Sequence, residues 1–159
     1  LTARLKKYWE LSNGFYVSAG ATARITGTQN QPYYNSRALG YGTDFLRGYE
    51  YYVIDGQSFA LFKTNLKYKL LGERVLDASF IPLNKFNVIP FSFYLNLYSD
   101  AGYVYDSQFS IQNGLANDWQ FSGGIGLDFV TYYDLVFRLE YSRNKLGESG
   151  FFLHFTAPI

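Results

Sequence analysis

Apolar and polar residues alternate with a period of two along most of this chain. Over residues 1–11, Leu1, Ala3, Leu5, Trp9 and Leu11 share one set of positions, and Thr2, Arg4, Lys6, Tyr8 and Glu10 the other. Successive side chains of a strand point to opposite faces, so this pattern predicts β-strand. Asn13-Gly14 predicts a tight hairpin turn. A second strand follows over 15–27, with Phe15, Val17, Ala19, Ala21, Ala23 and Ile25 on one face. From residue 58, Ala60, Phe62, Leu66, Tyr68 and Leu70 oppose Lys63, Asn65, Lys67 and Lys69. Over 91–105, Phe91, Phe93, Leu95, Leu97, Ala101, Tyr103 and Tyr105 oppose Ser92, Tyr94, Asn96, Tyr98, Asp100 and Gly102. Three more strands are predicted over 119–131, 134–144 and 150–157. In the last, Phe151, Leu153 and Phe155 oppose Phe152, His154 and Thr156.

Between these runs the alternation fails. Residues 28–57 hold Gln29-Asn30-Gln31-Pro32, Gly40, Gly42, Gly48 and Gly56, together with Tyr33, Tyr34, Tyr41, Tyr49, Tyr51 and Tyr52. A structureless loop of this length is either functional or disordered, and its tyrosines argue against disorder. Residues 71–90, with Gly72, Pro82 and Pro90, read as a second connection with weak local structure. Residues 106–118 read as a polar outer loop, and short turns are expected near Tyr132-Tyr133 and over 145–148.

The fold class is therefore all-β and antiparallel, with about seven strands of roughly 9–14 residues. Transmembrane strands need about 9–11 residues, whereas ordinary strands average about 5–6. Hydrophobic residues make up 48% of the chain and aromatics 21%, yet mean hydropathy is -0.13. The apolar residues are thus interleaved with polar ones, as on the wall of a transmembrane β-barrel. Trp9, Trp119, Tyr103, Tyr105, Tyr132 and Tyr133 lie near strand ends, like interfacial girdles. A soluble β-sandwich would share the alternation, but would carry more charge where this polar face has Gly and Ser. No run reaches the 18 or so apolar residues of a transmembrane helix, and Leu1-Thr2-Ala3-Arg4 shows no signal peptide. The net charge of +1 gives no field for nucleic acid. Without Cys there is no disulfide or thiolate metal site, and the lack of Met suggests a piece of a longer chain.

The loop centres on Phe45-Leu46-Arg47-Gly48-Tyr49. Arg47-Gly48-Tyr49, in the one very long loop with five strands after it, resembles the Omp85 superfamily of outer-membrane proteins, which includes the BamA-type assembly factors. Asp100-Ala101-Gly102 in the next-but-one strand resembles that family's Asp-x-Gly. The stretch from Gly124-Ile125-Gly126-Leu127-Asp128 through Phe137-Arg138-Leu139-Glu140-Tyr141 to Phe155 looks like its closing strands. The resemblance covers essentially the whole chain, 1–159, as the C-terminal part of a sixteen-stranded barrel. It implies a lumen loop over 28–57 locked by Arg47, Gly48, Tyr49, Asp100 and Gly102. Where many members carry a Glu near the loop Arg, this chain has Asn65, with Lys67 beside it. Asp100 is then the main acidic partner of Arg47, with Arg138 and Glu140 as further lumen residues. Phe151, Leu153 and Phe155 mark the terminal strand, where a weak seam is implied. The chain ends Thr156-Ala157-Pro158-Ile159 where the family usually ends on an aromatic residue.

The resemblance implies a function in inserting or translocating other proteins, in the outer membrane of a Gram-negative bacterium. Its implied partners are outer-membrane lipid, unfolded outer-membrane proteins, accessory subunits, and the missing N-terminal barrel strands and periplasmic domains. Two other functions fit the same residues: the anchor or pore of a fused enzyme such as a patatin-like lipase, and a passive porin. No nucleophile–base–acid set stands out, so the chain reads as non-enzymatic and without cofactor. His154 has neither Cys nor a second His with it and reads as a wall histidine, not a metal ligand. Arg138 and Glu140 share a face and read as part of a cross-strand salt-bridge ladder. Lys63, Lys67 and Lys69 form a basic inner stripe. Gly124-x-Gly126 lies mid-strand, where glycine marks bending or close approach.

Overall fold

A computed structural model describes residues 1–27, 32–77, 88–108, 114–131 and 135–156. Among them are nine strands: β1 (Thr2–Ser12), β2 (Phe15–Arg24), β3 (Arg37–Leu39), β4 (Ile54–Asp55), β5 (Ser58–Asp77), β6 (Val88–Tyr105), β7 (Trp119–Thr131), β8 (Leu135–Asn144) and β9 (Ser149–Thr156). Seven form one antiparallel sheet in the order β1-β2-β5-β6-β7-β8-β9, and β3 pairs with β4. Every neighbour in the large sheet is adjacent in the chain, apart from the excursion between β2 and β5. The sheet is open, with β1 and β9 as its edges.

The register follows the alternation. Phe62 stands opposite Ala101, Ala101 opposite Phe121, Leu97 opposite Ile125, and Leu127 opposite Leu139. The apolar face is the more exposed of the two. Leu97, Phe121 and Leu139 are about half exposed, at 55%, 51% and 50%. On the opposite face Asn96, Asp128 and Glu140 are wholly buried. Ring contacts link Phe93, Phe129, Phe137 and Phe155 across the apolar face near one end of the strands. Phe62, Tyr103, Trp119 and Phe121 cluster near the other end.

One expectation is corrected. Residues 71–90 are not simply a weak connection. β5 runs on to Asp77 and β6 begins at Val88, paired as Arg74↔Phe91, Val75↔Pro90, Leu76↔Ile89 and Asp77↔Val88. The alternation is lost there because the register shifts between Lys69 and Leu71 and again before Arg74. Pro90 stands near the start of β6, a position where proline is accommodated in a sheet. The tyrosine-rich loop, as its composition predicts, carries structure of its own over 32–57. It contains a 3-10 turn at Tyr33–Asn35 and the β3–β4 pair. The expected turn at Tyr132-Tyr133 lies outside the described residues.

This excursion folds back onto the polar face and supplies the apolar core. Ala38, Leu39, Leu46, Tyr49 and Ile54 pack with Phe59 and Leu61 of β5, Val104 of β6, and Ala116. The core therefore lies between the loop and the sheet, at the end of the strands where the inward positions turn apolar. The loop is tied down by backbone bonds from Gly56 N–H to Ser36 O (2.6 Å) and from Gln57 N–H to Tyr105 O (2.9 Å).

Candidate functional site

Leu46 and Tyr49 enter that core, and their burial delivers Arg47 to the sheet between them. A turn closed by Tyr49 N–H to Leu46 O (3.1 Å) sets the backbone, and Gly48 has φ +84°. That conformation favours glycine. A Cβ there would also stand 3.2 Å from Ser142 Cβ.

The guanidinium makes four hydrogen bonds. Nε donates to Asp100 Oδ2 at 2.8 Å and Nη2 to Asp100 Oδ1 at 2.5 Å, a bidentate pair. Nη1 donates to Asn65 Oδ1 at 2.5 Å and Nη2 to Thr64 O at 3.2 Å. The Arg47 backbone N–H also reaches Asp100 Oδ2, at 3.3 Å. Arg47 Cζ lies 3.8 Å from the centroid of the Tyr98 ring, whose hydroxyl bonds Ser142 Oγ. The side chains of Arg47 and Asp100 are 5% and 0% exposed. Two residues on, Gly102 leaves space for the loop. A Cβ there would lie 2.5 Å from Leu46 Cδ1 and 3.0 Å from Leu39 Cδ1. The Asp-x-Gly spacing thus puts the anion under the arginine and the gap under the leucines.

Tyr49 continues the contact towards β7 and β8. Its hydroxyl donates to Gln120 Oε1 (3.0 Å) and accepts from Lys145 N–H (3.3 Å). Asn144 Nδ2 donates to Gly48 O (3.0 Å). Tyr52 bonds Glu148 at 2.8 Å. Hydrogen bonds from Asn144 and Tyr52 hold the Glu148 carboxyl below its ordinary pKa, and the bond to Glu148 raises that of the Tyr52 hydroxyl. Lys145 does for Asp118 what Asn144 does for Glu148.

A second charged group lies further along the same face. Asp128 receives Arg138 Nε at 2.5 Å, Arg138 Nη2 at 2.7 Å and Lys67 Nζ at 2.7 Å. Lys67 therefore serves Asp128 and not Arg47. Glu140 sits between the two groups, with Oε1 3.7 Å from both Arg47 Nη1 and Arg138 Nε. An acid besides Asp100 does approach Arg47, and it comes from β8. Gly126 lets β7 pass close to it, since a Cβ there would be 2.9 Å from Glu140 Cγ. Lys63 lies 4.1 Å over the Phe45 ring. Phe151, Leu153 and Phe155 point away from all of this, on the exposed face of β9.

Sequence reasoning singled out Arg47, Gly48, Tyr49, Asp100, Gly102 and Asn65, and the structure brings them together. It did not single out Tyr98, Asp128 or Glu50. Tyr98 and Asp128 could have been found, since the alternation puts both on the face of Asp100. Glu50 follows the Arg-Gly-Tyr motif directly, but nothing local indicates which way it turns. No family model matches the chain, and neither a curated protein nor a solved structure does.

Proposed function

We propose that the chain is the C-terminal part of an Omp85-type outer-membrane β-barrel that inserts or translocates other outer-membrane proteins. The observation that carries this reading is the buried bidentate contact of Arg47 with Asp100, beneath a sheet whose other face is apolar and exposed. An apolar surface of that extent is costly in water and suits lipid. A charged, hydrogen-bonded opposite face suits a lumen. In this reading Arg47 pins the 28–57 loop inside the barrel. Strands elsewhere in the protein pair with β1, and the open edge of β9 templates an incoming strand through its free backbone groups. Phe151, Leu153 and Phe155 then face lipid at the seam. Accessory subunits and periplasmic domains belong to the same reading.

The test is reconstitution of the protein carrying this chain into lipid vesicles, followed by addition of an unfolded outer-membrane protein. Its folded, heat-modifiable form should appear faster than in protein-free vesicles, and Arg47→Ala should remove the gain. Acceleration that is absent, or that survives Arg47→Ala undiminished, leaves a passive barrel as the better account.

A further inference from the structure

Glu50, Glu140 and His154 meet beneath the loop, and none of the hydrogen-bonded networks uses them. His154 Nε2 lies 3.3 Å from Glu140 Oε2 and 3.4 Å from Glu50 Oε1. One ligand atom from each of the three lies within 4.8 Å of the other two. Glu140 is wholly buried, yet neither of its oxygens accepts a hydrogen bond among the described residues. The same holds for both Glu50 oxygens and for His154 Nε2.

Buried carboxylates left without hydrogen bonds are expensive, because each has lost its water. Glu140 Oε1 faces Arg47 and Arg138, each at 3.7 Å, so part of its charge is offset on that side. Among the described residues, the ion-pair contacts of Glu140 Oε2 and of Glu50 Oε1 are both with the imidazole. A single Nε2–H cannot satisfy them all. From this we infer a divalent-cation site, of the zinc type, held by His154 Nε2, Glu140 Oε2 and Glu50 Oε1.

The spacing fits that metal. Zinc binds imidazole and carboxylate at about 2.0–2.2 Å in a tetrahedron, which sets neighbouring ligand atoms roughly 3.3–3.5 Å apart. The two separations at His154 are of that size, and the third pair of ligand atoms lies within 4.8 Å. The fourth position opens on a cavity of ≈ 420 Å³ lined by Phe45, Lys63, Arg138 and Glu140, with room for water. Phe45 stacks on the imidazole with ring centroids 5.8 Å apart. The three ligands come from the loop, β8 and β9, so the ion joins the loop to the edge strand. Neither this geometry nor its chemistry depends on whether the protein assembles others.

The test is zinc competition against a chromophoric chelator, on the detergent-extracted protein carrying this chain. One site per chain is expected, with X-ray absorption showing nitrogen and oxygen ligands and no sulfur. Glu50→Gln and His154→Gln should each weaken it by at least about tenfold, the scale on which lost support around a metal is felt. Both positions are partly accessible, so these variants keep the test valid even if Glu140→Gln fails to fold. Zinc that is not bound, or that is bound equally well by both variants, overturns the site. Either result would leave the vesicle-assembly assay untouched.

Discussion

Arg4 of β1 reaches Asp44 across 2.7 Å, and Arg47, a few residues further along the same loop, reaches Asp100 across 2.5 Å. The two pairs join the loop to the same face of the sheet, yet their surroundings differ. Arg4 is 54% exposed and Asp44 21%, against 5% and 0% for Arg47 and Asp100. Both strands carry the same alternation. The difference is the cover. Over β6, β7 and β8 the loop and its leucines exclude water, while β1 is exposed at every position. Polar patterning therefore decides which way a side chain faces, and the loop decides what that charge costs or contributes.

The largest break in this comparison is Arg47→Ala. It strands Asp100 and leaves Glu140 facing one guanidinium fewer. Removing one partner of a buried pair destabilises by about 3–5 kcal/mol, because the remaining charge stays buried without compensation. Arg4→Ala should cost only about 0–1 kcal/mol, the range for exposed pairs. Denaturant unfolding of the two variants in the same detergent measures both. Equal losses would mean that the loop does not shield Arg47.

A smaller effect isolates packing from charge. Gly102→Ala keeps the Arg47–Asp100 pair and adds one methyl beneath Leu46 and Leu39. Overpacking of this kind costs about 1–3 kcal/mol. Hydrogen exchange should show the loss around residues 38–49 and not at β1. Uniform loosening of the sheet would show that the loop and sheet unfold as one unit.

Legibility in the sequence followed the same division. The strands were readable because Phe62, Leu97, Ile125 and Leu139 recur at a period the backbone itself imposes. Asp100 and Gly102 could be assigned to the inward face for the same reason. The β5–β6 extension was not readable, since two register shifts around Gly72 erase the alternation that would have marked it. The loop's own core was not readable either. Leu39, Leu46 and Ile54 are buried through contacts with Phe59, Leu61 and Val104, and no local period encodes contacts across tens of residues. Asn65 was expected beside Arg47, and its amide oxygen lies there. The alternation puts Lys67 on the same face, but Asp128 on β7 draws its ammonium away from Arg47.

The smallest effect concerns the outer edge of the same contact, where the loop meets the turn at 145–148. Glu148 accepts from Asn144 and Tyr52, and Asp118 from Lys145. Both folded pKa values lie below the ordinary ones of 4.5 and 3.8. A depressed carboxylate stabilises the fold above its unfolded pKa, and that contribution is lost as pH falls through the folded value. The two groups should therefore add nothing to the pH dependence between 7 and about 5. Below pH 4.5 their hold on the turn should fade. These groups face water, so the change is local: faster hydrogen exchange at residues 144–148, with the Arg47 region still protected. Glu148→Gln should exchange fast in that turn already at neutral pH and change little on acidification. If the wild-type turn instead opens together with the Arg47 region, the sheltered and exposed anchors are one cooperative unit, and the contrast between them is energetic but not structural.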